Sequence, residues 1–258
     1  MNLISFNEQK LPLRDLETIG LAAGGQLLLN VDDLKALLSG RRTGLLELHD
    51  LEAENIRIKS LQAKISLVNG PDGKVDLLIH PVYRKAATPD FLSDAESAQL
   101  QKGEVASLLK ITSDTKGNKT ERLVEFDADT REFIVSDTEK ILVPDMVNNE
   151  FLTPAQKERY RKGQEVELAD RTRFTYSGVD AIGVRSNKIA LIASILIDGG
   201  LSYMVYKGLN ALFNQPRDEK EAVHLSPGYR HAEQEAAEQF RGMPERPHRS
   251  HNRNGSAR

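Results

Sequence analysis

Apolar residues first recur at helical spacing. Leu13, Leu16 and Ile19 follow Pro12, which opens a helix without losing a needed N–H. Leu34, Leu37 and Leu38 follow Asn30, a side chain suited to capping a second helix, with Asp32 and Asp33 favourably placed on its dipole. Gly20, Gly24-Gly25 and Gly40 supply the stops. The period then changes to two. Ile56 and Ile58, and then Leu61, Ala63, Ile65 and Leu67, alternate with polar residues, and Val75, Leu77 and Ile79 resume beyond the turn sequence Asn69-Gly70-Pro71-Asp72-Gly73-Lys74. This predicts a β-hairpin with one buried face and one wet face. Residues 1–88 therefore read as an α+β domain closed by the linker Thr88-Pro89-Asp90.

A weak internal repeat follows in residues 89–186. Phe91-Leu92-Ser93-Asp94-Ala95 returns sixty positions later as Phe151-Leu152-Thr153-Pro154-Ala155. Each phrase opens a short polar helix with a Ser or Thr cap, and each helix stops at Lys-Gly, Lys102-Gly103 and Lys162-Gly163. Leu100 and Tyr160 are the matching apolar anchors. Strands are expected from Val105 to Ile111, Leu123 to Phe126 and Glu132 to Val135, and in the second copy at Val166 and Leu168 against Phe174 and Tyr176. Two helix-then-hairpin units result, a duplication that suits binding more than chemistry.

The most apolar run, Ile189 to Tyr206, reaches the lower length limit for crossing a bilayer, but Asp198 sits near its midpoint. In water, residues 187–213 read as an apolar helical hairpin. Asp198, Gly199 and Gly200 form its turn or cap, and Leu201, Val205, Leu209, Leu212 and Phe213 form a stripe for packing or for a partner. From residue 214 to 258 the chain is polar and proline-punctuated, the pattern of a disordered tail with a helix-capable stretch around His231 to Phe240. The predicted architecture is α+β: one N-terminal and two repeated helix-plus-hairpin modules, then the helical hairpin, then the tail.

Charge and composition narrow the chemistry. The net charge of −3 provides no global basic field for nucleic acid or anionic membrane. There is no cysteine, which removes disulfides and thiolate chemistry. Aromatics amount to 5% and tryptophan is absent, leaving few stacking platforms. The N-terminus lacks a basic-then-apolar export pattern.

Arg41 and Arg42, trailing two helices, invite a helix-turn-helix reading. The connector from Leu21 to Leu29 is longer than that motif allows, and the second helix has no basic, amide-rich face. The plainer alternative has Arg41 and Arg42 pairing carboxylates or capping carbonyls. In the tail, Arg246, Arg249, Arg253 and Arg258 are candidate weak phosphate contacts. No zinc-binding helix motif, phosphate loop, dinucleotide fingerprint or nucleophile elbow is present, so no catalytic residue, metal or cofactor is expected. Asp127, Asp129 and Glu132 read as a hairpin turn, and His49 and His80 as isolated residues near strand ends.

Several phrases together carry a resemblance: Gly40-Arg41-Arg42-Thr43, Asp76-Leu77-Leu78-Ile79-His80-Pro81-Val82-Tyr83, Leu152-Thr153-Pro154-Ala155-Gln156, and Arg185-Ser186-Asn187-Lys188 ahead of Ile197-Asp198-Gly199-Gly200. Over roughly residues 5 to 213 the chain resembles an uncharacterised family of Bacteroidetes-type bacteria, known as paired domains of unknown function and often encoded on mobile or conjugative elements. The resemblance implies a bacterial cytoplasmic protein and brings no activity, cofactor or site residue.

Three functional classes stand against one another. The first is a non-catalytic interaction or scaffold protein, accessory to mobile-element DNA transfer or maintenance, with a protein partner or self-association, weak nucleic-acid binding through the tail and no small-molecule substrate. The second is a membrane-tethered adaptor anchored through residues 189–206 at the inner membrane. The third is an enzyme, which a cluster of buried carboxylates with His80 or His49 in a cleft would favour.

Overall fold

The computed structural model describes residues 6–53, 56–70, 73–188, 190–197, 200–207 and 227–241. In the N-terminal module, α1 (Leu13–Thr18) leads into a small hairpin, β1 (Ala22–Ala23) and β2 (Gln26–Leu27), that turns at Gly24-Gly25. Helix α2 (Val31–Leu38) is capped as expected, with the Asn30 side chain accepting the Asp33 N–H at 2.8 Å. Three strands follow as an antiparallel meander, β3 (Leu46–Ala53), β4 (Ile56–Asn69) and β5 (Val75–Pro81), with β4 in the middle. Ala63, Ile65 and Leu67 of β4 turn one face to Leu16, Leu37 and Leu48, burying a core between sheet and helices. Strand β3 was not foreseen. Its alternation is interrupted by Asp50, which takes the left-handed backbone conformation at φ 53° and is a poor strand residue.

The repeated phrase builds the same element order twice. In the first unit α3 (Asp94–Gln101) starts in a capping box between Ser93 and Glu96, and β6 (Leu108–Ser113), β7 (Lys119–Asp127) and β8 (Glu132–Asp137) form a meander with β7 in the middle. A short hairpin, β9 (Met146–Val147) and β10 (Glu150–Phe151), leads to the second unit. There α4 (Pro154–Arg161) opens in an equivalent box between Thr153 and Gln156, followed by the meander β11 (Val166–Glu167), β12 (Arg173–Tyr176) and β13 (Val184–Ser186). Gly103 and Gly163, both at φ 69°, end the two helices, and the anchors Leu100 and Tyr160 are each 3% exposed. Gly163 has a second role. A Cβ there would lie 2.6 Å from the Leu123 side chain, so the bare backbone lets the second unit settle on β7.

The apolar run corrects the expected helical hairpin. It forms two antiparallel strands, β14 (Leu191–Ile197) and β15 (Gly200–Lys207), in a sheet of order β10-β9-β14-β15. The arms are rich in Ile, Val and Tyr, and at 7 and 8 residues they have ordinary strand length. Ala190 to Ile195 are all buried, so β14 is covered on both faces as far as Ile195, before the exposed Leu196. A strand covered on both faces reads as a continuous apolar run, which periodicity alone cannot tell from a buried helix. Among the described residues no helix is long and apolar enough to cross a membrane, so the expected helical anchor through 189–206 is corrected as well. The helical stripe does not form: Leu201 and Val205 fall on β15, while Leu209, Leu212 and Phe213 lie outside the described residues. Gly200 begins β15 opposite Ile197; Asp198 and Gly199 also lie outside the described residues.

The expectation of a disordered tail is corrected in part. Residues Pro227–Arg241 form helix α5, which packs against β14. Tyr229, Ala232 and Ala236, at i, i+3 and i+7, are its buried stripe. The tail arginines Arg246, Arg249, Arg253 and Arg258 lie outside the described residues. Tyr229, 1% exposed, is the largest fully buried side chain described in this helix, so Tyr229→Ala is expected to cost about 3 kcal/mol. Amide exchange across Pro227–Arg241 should then rise well above wild type, and unchanged protection would show that the helix does not depend on β14.

Candidate functional site

Strand β7 is the middle of its own sheet, and its residues face two ways. Val124 and Phe126 join Leu92, Leu100 and Phe133 beneath α3. Leu123, Glu125 and Asp127 occupy the other face, and each meets a different part of the chain. Leu123 packs with Tyr160, Val166 and Phe174 in the core of the second unit. Glu125, buried, accepts the Ser177 hydroxyl at 3.0 Å and the Gly178 N–H at 2.5 Å, with the Arg185 guanidinium 3.3 Å away. Burial pushes the Glu125 carboxyl up, against the pull of the Gly178 N–H, Arg185 and Ser177. Asp127 meets the N-terminal module.

That meeting is ionic. Lys64, on the polar face of β4, places its ammonium 2.9 Å from Asp127 Oδ2 and 2.9 Å from Asp129 Oδ2, with Lys64 3% and Asp127 0% exposed. Asp127 Oδ1 also accepts the Asp129 N–H at 3.1 Å, which bends the turn between β7 and β8 back toward the lysine. Arg42 pairs with Glu132 at 2.7 Å and stands 4.0 Å from Asp127. The backbone closes the junction, with Tyr83 N–H donating to Thr130 at 3.0 Å and Arg131 reaching the Arg84 carbonyl at 3.1 Å. The sheet face expected to be wet is therefore partly a docking face.

Local structure explains why two adjacent arginines reach two modules. Helix α2 ends in a Schellman motif, with Gly40 N–H donating to Leu37 and Arg41 N–H to Ala36. Thr43 then joins β4, donating its N–H to Ile65 and accepting the Ile65 N–H on its hydroxyl at 3.0 Å. Between these fixed points Arg42 turns to the first unit. Arg41 turns to the second, where its Nε donates to the Ala181 carbonyl at 2.9 Å and its side chain lies against Gly183. Both arginines thus take the plainer of the two sequence readings. Arg42 pairs a carboxylate and Arg41 caps a carbonyl.

The same junction holds a Ser-His-Glu set. Ser66 Oγ and His80 Nε2 are hydrogen-bonded at 2.9 Å, and Glu132 Oε2 lies 3.7 Å from His80 Nδ1. Burial and the neighbouring Arg42 hold the His80 imidazole down to about 4, against the pull of Glu132 and Asp127, so at neutral pH it is uncharged. The glutamate is nearer to Arg42 than to the imidazole, and Ser66 and His80 are 8% and 7% exposed. Of the carboxylates near His80, Asp127 is buried and Glu132 half-buried, and both are engaged across the junction between modules. An open cleft of about 500 Å³ lies elsewhere, at Asn148, Glu150, Asp170 and His231. Among the described residues no group of His, Asp or Glu is arranged to hold a metal ion.

Sequence reasoning missed Lys64, Ser66 and the long-range role of Asp127. The available signal was a lysine within the apolar stretch Ala63 to Leu67, together with the Asp-x-Asp-x-x-Glu spacing of the turn. Comparison with known families matches residues 6–90, the N-terminal module and its linker, to a family described as "Protein of unknown function (DUF4099)". Neither the curated proteins nor the solved structures compared contain a match to the chain.

His80 gives the site a pH signature. The unfolded chain takes up this proton near pH 6.5 and the folded chain near pH 4. Stability should therefore fall as pH is lowered from 6.5 toward 4. Urea denaturation across that window should show the wild type losing stability relative to His80→Gln, and an NMR titration of His80 should have its midpoint near 4. A midpoint at 6 or above would contradict the packing described.

Proposed function

We propose that the chain is a non-catalytic interaction or scaffold protein of the bacterial cytoplasm, holding three small modules in a fixed arrangement for a protein partner or for self-association. The observation that carries this reading is the use made of the charged side chains at the junction. Lys64, Arg42, Asp127 and Glu132 are engaged with one another across the junction between modules. A role alongside DNA transfer or maintenance on a mobile element rests on the family resemblance. Nucleic-acid binding, if the tail arginines provide it, is of the weak, salt-sensitive kind.

The hydrogen bond between Ser66 and His80 supports a second reading, a serine hydrolase. A fluorophosphonate probe applied to the intact chain separates the two. The scaffold reading expects Ser66 to remain unlabelled, because the hydroxyl is buried and its histidine is oriented by packing. Stoichiometric labelling at Ser66 that disappears in His80→Ala would establish the hydrolase instead.

A further inference from the structure

The apolar cores divide the chain differently from its covalent order. Every residue of the N-terminal core, from Phe6 to Ile79, belongs to that module alone. The core under α3 runs from Phe91 to Phe133. The third core crosses a boundary, since Leu123 of the first unit packs among Tyr160, Val166 and Phe174 of the second. Among the described residues no apolar cluster joins the N-terminal module to the first unit. What joins them is polar: Arg42, Lys64, Ser66 and His80 on one side, and Asp127, Asp129 and Glu132 on the other.

A junction of this composition is that of a receptor and its ligand more than that of a divided core. Interfaces between separable domains are more polar than obligate ones, and charge complementarity sets which surface is accepted and in what register. The cationic side is preformed by regular structure: Lys64 and His80 are paired residues of β4 and β5, and Arg42 is held between a helix terminus and Thr43. The acidic side is a single tight turn, with Asp127, Asp129 and Glu132 spaced so that two carboxylates reach Lys64 and one reaches Arg42.

We propose that the polar face of the β3-β4-β5 sheet is a recognition site for acidic turns of the form Asp-x-Asp-x-x-Glu, and that in this chain the turn between β7 and β8 is its ligand in cis. The proposal deepens the interaction reading above and rests on it. It assigns the N-terminal module a binding specificity of its own: acidic protein segments, read by one lysine and one arginine at fixed separation. Ser66 and neutral His80 complete the floor of the site without adding charge.

The test nicks the folded full chain. A protease site placed in the exposed stretch at Lys85 to Thr88 is cleaved after folding, and dye-labelled C-terminal piece from a second preparation is exchanged into the nicked protein. The nicked halves should co-elute at micromolar concentration, and labelled wild-type piece should exchange in. Labelled piece carrying Asp127→Asn and Glu132→Gln should compete at least tenfold more weakly. Lys64→Met in the N-terminal half should produce the same loss, with circular dichroism of each variant confirming that it is folded.

Equal competition by the neutralised piece would overturn the proposal, since recognition would then not depend on the carboxylates. Halves that separate or precipitate on nicking would overturn it too, since the module would then have no site of its own. Neither result bears on whether Ser66 reacts with the fluorophosphonate, so failure here is distinguishable from failure of the non-catalytic reading.

Discussion

The contact between Lys64 and Asp127 is the constraint on which the rest of the arrangement depends. Both groups are withdrawn from water, with Asp127 fully buried, and each is tolerable there chiefly because the other is its buried partner. A buried ion pair adds little net stability against an apolar replacement, but it penalises heavily any arrangement that separates its members. Its value here is selective. Of the ways the N-terminal sheet could lie on the first repeat unit, the observed one brings the lysine to the aspartate. Arg42 and Glu132 repeat the logic at the edge of the same junction.

One strand distributes these contacts. Leu123, Glu125 and Asp127 are successive residues on one face of β7, and they dock, in turn, a hydrophobic core, a polar loop of the second unit and the cationic sheet of the N-terminal module. Arg41 and Arg42 mirror this from the other side, one reaching Ala181 and the other Glu132. Three modules are therefore bound pairwise through a strand and a two-residue phrase. The modules differ in how they are held, since the two repeat units share apolar packing while the N-terminal module is attached through charge and hydrogen bonds.

Local chemistry was legible wherever one residue decides the outcome by itself. Asn30, Ser93 and Thr153 cap helices as their types require, the repeated Lys-Gly stops end them, and the turn at Asn69 to Lys74 separates two paired strands. Features that depend on what lies across a sheet were not legible. The run from Ala190 to Ile195 is nearly continuous in apolar residues because both faces of the strand are covered there, and that erases the alternation by which a strand is known. Asp50 hid β3 by breaking its pattern with a left-handed residue. Pro227–Arg241 looked polar because the buried residues described in it are one tyrosine and two alanines. Lys64 had the look of an ordinary wet-face lysine. Only its distant partner, Asp127, makes it a site residue, and no local pattern announces a contact across that distance in the chain.

The central claim, that a buried charge pair sets the modules in place, is tested most directly by a double-mutant cycle on Lys64 and Asp127 in the intact chain, read by urea denaturation. Lys64→Met and Asp127→Leu should each cost about 3–5 kcal/mol, because each removes the buried partner of the opposite charge and leaves Lys64 with only the exposed Asp129, or Asp127 with only Arg42 at 4.0 Å. Combining them should recover most of that loss, giving a large favourable coupling. Additive losses, with the double variant as unstable as the two single variants together, would mean that the pair does not hold the junction and would contradict the account.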